Sequence, residues 1–61
     1  MRYEIYPDNS LVRRWRWRLV DDEGEIIATS HQGHILEEIC WSEIFKVKKS
    51  SSSPVEVIKT P

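Results

Sequence analysis

The sequence predicts a small α+β domain in which an antiparallel sheet carries one helix on one face. Two observations indicate this class. Apolar and polar residues alternate with period two through most of the first thirty residues, as they do in strands with one buried face. The period becomes helical over residues 34–48, and alternation returns after residue 54. We therefore expect a single domain, residues 1–61, with the element order β-β-β-α-β.

The first two strands are predicted from strict alternation. Residues 2–7 place Tyr3 and Ile5 on one face and charged or hydroxylated side chains on the other. The second strand, residues 14–21, alternates arginine with tryptophan and leucine more strictly than any other part of the chain. We expect the tryptophans to face the helix and the arginines to face away from it.

A tight hairpin is predicted to join the second strand to the third, which covers residues 25–30. Gly24 supplies the positive φ that a two-residue turn with Glu23 requires. That register puts Ile26 and Ala28 on the same face as the tryptophans. A slip of one residue would mix apolar and charged side chains on each face, so the pattern favours this register.

The helix is predicted over residues 34–48, with acidic residues near its start and lysines near its end, as the helix dipole prefers. Its apolar side chains cover more than half of the circumference, which exceeds what one sheet face buries. We expect a second subunit to cover the surplus. Four serines at 50–53 predict a flexible linker, and residues 54–59 predict a final strand.

The size of the chain also predicts an assembly. With 61 residues, one core rarely contributes more than about 3–5 kcal/mol. Cys40 is the only cysteine, which rules out an internal disulfide, and no structural metal site is evident. Oligomerisation is the remaining source of stability, so we expect a homodimer.

The composition narrows the classes of partner and location. Nine basic and ten acidic residues give a net charge of −1, which provides no overall attraction to nucleic acid or anionic lipid. The N-terminal residues contain no apolar signal segment, and no run is long enough to span a membrane. We expect a cytoplasmic protein with no membrane partner.

Two segments resemble a known family. YEIYPD and WRWRLVDDEGEIIATS, within residues 2–30, are similar to the YegP-like family of small domains, whose members carry phrases close to FEIYKD and YRWRLKAxNGEIIATSEGY. The resemblance implies β-β-β-α-β units that form one continuous sheet and exchange their C-terminal strands, as a tandem repeat or a dimer of single units. This chain holds one unit, so the resemblance implies the dimer. It implies no activity, and it weakens after Ser30.

The face opposite the helix is the candidate interaction surface. It combines arginines from the second strand with polar side chains of its neighbours: Glu4, Tyr6, Arg14, Arg16, Arg18 and Thr29. The favoured interpretation is a solvated face on which Glu4 pairs with an arginine. The alternative is a weak RNA or DNA surface, since arginines bind phosphates. The tryptophans lie on the other face, however, so a stacking platform is not predicted.

The remaining reactive side chains predict no catalytic, metal or cofactor site. Cys40 lies among apolar positions of the helix, and His34 is displaced around the helix axis from it, so no thiolate–imidazole pair is expected. With His31 added, these groups fall short of four zinc ligands unless a dimer shares them. The acidic run at 21–25 lacks the spacing of a calcium loop.

These observations predict a non-enzymatic homodimeric module, structural or interacting, with an unidentified macromolecular partner. Weak nucleic-acid binding through the arginine-bearing face is the alternative function. No cofactor is expected.

Overall fold

The computed structural model describes residues 1–59 and has three strands and one α-helix in the predicted order. The strands are β1 (Arg2–Pro7), β2 (Trp15–Val20) and β3 (Ile26–Thr29), and the helix is α1 (Glu37–Lys49). A short 3₁₀ helix, Ser50–Ser52, follows α1 directly. The bounds of these three strands differ from the predicted bounds by at most one residue at each end.

The sheet is antiparallel in the order β1-β2-β3, so β1 and β3 are its edges. In the register of β1 with β2, Glu4 lies opposite Arg18 and Ile5 lies opposite Trp17. This register separates the two faces as predicted: tryptophans pack beneath α1 and arginines lie on the open side. The α+β class with a three-stranded antiparallel sheet and one helix is confirmed.

The β2–β3 connection differs from the predicted two-residue turn. Asp21 and Glu25 close a three-residue loop through the Asp21 N–H, which donates to the Glu25 carbonyl at 2.9 Å. Gly24 has the expected positive φ of 87°, and its N–H donates to the Asp21 carbonyl. A bulge next to this loop sets Val20 opposite Ile26, which is therefore about half exposed and does not join the tryptophan face.

The helix begins three residues later than predicted. His34 is extended, because its backbone N–H and C=O both bond to Trp15 in an isolated bridge beside β2. Leu36 is the N-cap residue and makes no side-chain cap bond. The first turn carries Glu37 and Glu38, and the last carries three lysines, in accord with the helix dipole.

The C-terminal region departs most from prediction. The expected flexible linker is a 3₁₀ turn, in which the Ser53 N–H donates to the Ser50 carbonyl at 2.8 Å. Residues 54–59 form no strand in the single chain, and the sheet has only the three strands that precede α1. Val55 is 91% exposed and Val57 is 77% exposed.

The core lies between α1 and β2. Trp17, Cys40 and Ile44 form its buried centre. Partly buried apolar residues from all four main elements surround this centre: Tyr3, Ile5, Trp15, Ala28 and Val47. The single buried layer is small for the apolar content of the helix, and Trp41 and Phe45 remain more than half exposed.

Candidate interaction surfaces

The predicted arginine-bearing face is a network of internal ion pairs. The carboxylate of Glu4 accepts a bond from Arg18 Nε at 2.6 Å and another from Arg2 Nε at 2.9 Å. These two guanidinium groups hold the pKa of Glu4 below its ordinary value. Arg18 also stacks over the ring of Tyr6, with its guanidinium carbon 4.6 Å from the ring centroid. The geometry predicted for Glu4 and Tyr6 is therefore present.

Asp8 organises the next part of this face. Its carboxylate accepts bonds from the Ser10 hydroxyl and N–H, the Arg14 N–H and Arg16 Nε. The bonds from Ser10, more than those from the arginines, lower the pKa of Asp8 far below its usual range. The Asp8 N–H in turn donates to the Arg14 carbonyl at 2.8 Å. The base of the β1–β2 connection is therefore fixed by one side chain.

The remaining residues of the predicted surface lie on its margin. Thr29 pairs with Arg18 across β2 and β3. Arg14 precedes β2 and makes none of the ion pairs found among residues 1–59. Strand pairing places the other five predicted residues on one side of the sheet. Whether that surface binds a partner stays a prediction.

A second surface, which sequence reasoning did not locate, is a groove of about 410 Å³ between β1 and α1. Its floor is apolar and its rim carries Lys48, whose Nζ lies 5.5 Å from the centroid of the Tyr3 ring. The groove runs beside β1, which is an edge strand of the sheet formed by the described residues. Its lining comes from both elements: Met1, Arg2, Tyr3, Ile5, Trp41, Ile44 and Lys48.

Glu43 forms a polar clasp between helix and sheet. One carboxylate oxygen of Glu43 accepts a bond from Trp17 Nε1 at 2.8 Å and lies 2.9 Å from His34 Nε2. The hydrogen bond from the Trp17 indole is the main cause of the lowered pKa of Glu43, and the contact with His34 lowers this pKa further. In the sequence, Glu43 is a charged residue within the otherwise apolar pattern of the helix. That position is the signal from which a polar contact with the sheet could have been predicted.

The side chains considered for chemistry lie apart. Cys40 is fully buried in the core, and burial raises the pKa of its thiol, so it has the environment of a small apolar residue. His34 is committed to Glu43. Within the region that the structure describes, no three side chains of metal-ligating type come together.

None of the helices in residues 1–59 has the length and apolar character needed to cross a membrane.

Comparison with known proteins places the chain among uncharacterised domains. Residues 13–56 match the family described as "Domain of unknown function (DUF1508)". The NMR solution structure of a protein from Haloferax volcanii is similar, with a TM-score of 0.78 and 30% sequence identity over 97% of this chain and 93% of that chain. No curated protein matches the chain. The family comparison indicates no catalytic family, and it does not supply the YegP-like name that the motifs resemble.

Proposed function

The chain belongs to the DUF1508 family, whose function is unknown, and from that premise we propose that it is a small non-enzymatic homodimeric domain, a structural or interaction module. In this proposal the C-terminal segment of each copy completes the sheet of the other, as the YegP-like resemblance implies. A cytoplasmic location remains our expectation.

The observation that carries the proposal is the excess of exposed surface. The single chain exposes 5383 Å². A compact monomer of 7.3 kDa is expected to expose only about 4,200 Å². If a dimer buried the surplus of roughly 1,200 Å² on each chain, the interface would bury about 2,400 Å² in total, which lies within the range of permanent dimers.

The exposed apolar residues suggest how that surplus is covered. Residues 54–58 have no helix or strand structure in the single chain, and their sequence alternates so that Val55 and Val57 would share one side of a strand. A five-residue strand spans about 17 Å, close to the length of β1. Docked at the β1 edge, the two valines would enter the groove beside Trp41. The 3₁₀ turn follows α1 directly, and the segment after it does not join the sheet of its own chain, so it is available to a second copy.

The oligomeric state tests the proposal. We expect sedimentation velocity to find a dimer of the wild-type chain and a shift to monomer in the Val55→Asp/Val57→Asp variant. Glu56→Gln changes the intervening residue and should leave the dimer intact. A wild-type chain that stays monomeric at every concentration studied would contradict the proposal.

Strand exchange has its own test. Protein that carries a spin label at Glu56→Cys, in a Cys40→Ser background, is mixed with ¹⁵N-enriched protein that carries no spin label. Exchange predicts broadening of the Tyr3 and Ile5 amide signals in the enriched copy, while a label on Glu23→Cys should leave them sharp. A dimer without this broadening would retain the assembly and exclude the exchange.

The nucleic-acid alternative for the open face stays a prediction, and the ion pairs weigh against it. Arg16 and Arg18 are engaged by carboxylates, and phosphate binding would have to displace those partners. We expect no gel shift of single-stranded RNA or DNA at low salt. A shift that disappears in Arg16→Glu/Arg18→Glu and weakens steeply with salt would support the alternative.

A further inference from the structure

The β1–β2 connection carries an exposed apolar group that the proposed dimer does not use. Leu11 is fully exposed, at 105% of its reference area, and Val12 is 62% exposed. Arg13 and Arg14 follow them directly. We call residues 11–14 the basic tip.

The basic tip is presented by a fixed loop. The carboxylate of Asp8 accepts bonds from the backbone N–H of Ser10, directly before the tip, and from that of Arg14, its last residue, at 3.0 and 3.1 Å. Gly33 lies against the same base, since a Cβ placed there would meet the Arg14 Cβ at 2.7 Å. Leu11 is therefore held outward on an anchored loop, and burying it would require little further ordering of the chain.

The charges of the basic tip have no ion-pair partner among residues 1–59 and lie at one end of the molecule. Among residues 1–59, neither Arg13 nor Arg14 belongs to an ion pair. The acidic β2–β3 loop, which includes Asp22 and Glu23, lies at the other end of β2 because successive connections of an antiparallel sheet alternate between its ends. The net charge of −1 averages over this separation and conceals it.

From this arrangement we propose that the basic tip docks on an anionic lipid bilayer, with Leu11 and Val12 entering the interfacial region and the two arginines contacting headgroup phosphates. This departs from the expectation of no membrane partner, which relied on net charge. Aliphatic side chains at the tip fit a hydrocarbon boundary, whereas sites for single-stranded nucleic acid usually add aromatic side chains on which bases stack, and residues 11–14 include none.

Two aliphatic side chains and two arginines form a small anchor, so binding is weak, reversible and sensitive to salt. The proposal concerns a different surface from the dimer contact and does not depend on it. If the protein is a dimer, two copies of the tip strengthen attachment wherever both reach the same membrane.

Vesicle co-sedimentation of the full chain tests the proposal. We expect binding to phosphatidylcholine vesicles that contain about 30% phosphatidylserine, at lipid concentrations on the order of 1 mM, and at least fivefold weaker binding to phosphatidylcholine alone. Leu11→Ser/Val12→Ser and Arg13→Gln/Arg14→Gln should each weaken binding at least fivefold. Matched controls at exposed sites elsewhere, Ile27→Ser and Lys49→Gln, should bind like wild type.

Amide NMR spectra of each variant establish that it is folded before its binding is compared. Absence of wild-type binding to the anionic vesicles would overturn the proposal. It would also be overturned if Leu11→Ser/Val12→Ser bound like wild type, because general charge attraction would then suffice. Binding of a uridine homopolymer with the same loss in Arg13→Gln/Arg14→Gln would assign the basic tip to nucleic acid instead.

Discussion

Among single residues, Glu43 has the most consequential position, because it joins an element of the sheet to the helix through one oxygen atom. Trp17 Nε1 donates to that oxygen across 26 positions of sequence, and His34 approaches it from the loop before α1. A helical pattern places Glu43 on the face that packs against the sheet, yet it does not identify which donor meets it there. The contacts of Glu43 with Trp17 and His34 were therefore not predicted from the sequence.

Removing only the indole N–H of Trp17 measures how much its hydrogen bond to Glu43 contributes to stability. Trp17→Phe keeps an aromatic ring in the core and leaves the Glu43 carboxylate without its indole partner. We expect a loss of about 1–3 kcal/mol in the free energy of unfolding, which is the usual cost of leaving a buried polar group without its hydrogen-bond partner. Trp17→Ala should cost more, roughly 3–5 kcal/mol, because it also leaves a cavity. Urea denaturation followed by circular dichroism measures both.

Trp41→Phe is the matched control for this prediction. The Trp41 indole also bonds to a carboxylate, that of Glu37, but at an exposed position. Its replacement should change the free energy of unfolding by less than about 0.5 kcal/mol. Equal losses in Trp17→Phe and Trp41→Phe would show that the clasp adds nothing beyond a surface hydrogen bond.

Among the elements, the connections diverge from sequence expectation more than the strands do. Alternation identified β1 and β2 almost to the residue because their side chains meet one buried and one open face. Gly24 was placed correctly as the residue with positive φ, but two- and three-residue hairpins both use glycine there. The choice between them depends on backbone bonds of Asp21, and the start of α1 depends on a bridge between Trp15 and His34.

The Asp8 carboxylate, in the β1–β2 connection, should make the stability of the protein depend on pH in the acid range. The pKa of Asp8 is depressed in the folded protein, so its contribution is present above the unfolded value near 3.8 and is lost as the pH falls below that value. Asp8→Asn keeps the shape but not the charge. We expect the variant to be less stable at neutral pH and to lose less of its remaining stability between about pH 4 and pH 2.

Thermal unfolding across this pH range measures the effect. The depressed pKa values of Glu4 and Glu43 act in the same direction, so some acid sensitivity remains in Asp8→Asn. Glu23→Gln, in the exposed β2–β3 loop, should follow the wild-type profile. A profile of Asp8→Asn that parallels wild type at every pH would refute the assigned role of Asp8.

For the whole molecule, assembly should appear in the thermodynamics of unfolding. If two chains complete each other, association raises stability by mass action, and the midpoint of thermal unfolding rises with protein concentration. We expect this rise in the wild type over a hundredfold concentration range. The Val55→Asp/Val57→Asp variant should unfold at a lower midpoint that does not vary with concentration. A constant wild-type midpoint would argue for a self-sufficient monomer.

The limits of sequence analysis at this scale have a physical cause. Periodicity reports which side chains leave water, as in the strands and α1, but it does not report what covers them. The surplus on α1 at Trp41 and Phe45 was visible from the helical pattern, and so was the alternation at Val55 and Val57. The groove beside β1 needed coordinates, because Tyr3 and Lys48 come together only in the folded chain.

The bulge between Ile26 and Ala28 has a consequence for how large an assembly can grow. It bends one margin of the sheet and breaks the regular ladder there, whereas β1 keeps six residues in register with β2. Open-ended association through sheet edges needs two regular edge strands on every subunit, and this chain has only one, β1, among its described residues. In the proposed dimer, residues 54–58 of each copy cover the β1 edge of the other, so only the bulged β3 edges stay free and edge-to-edge growth into fibres is disfavoured.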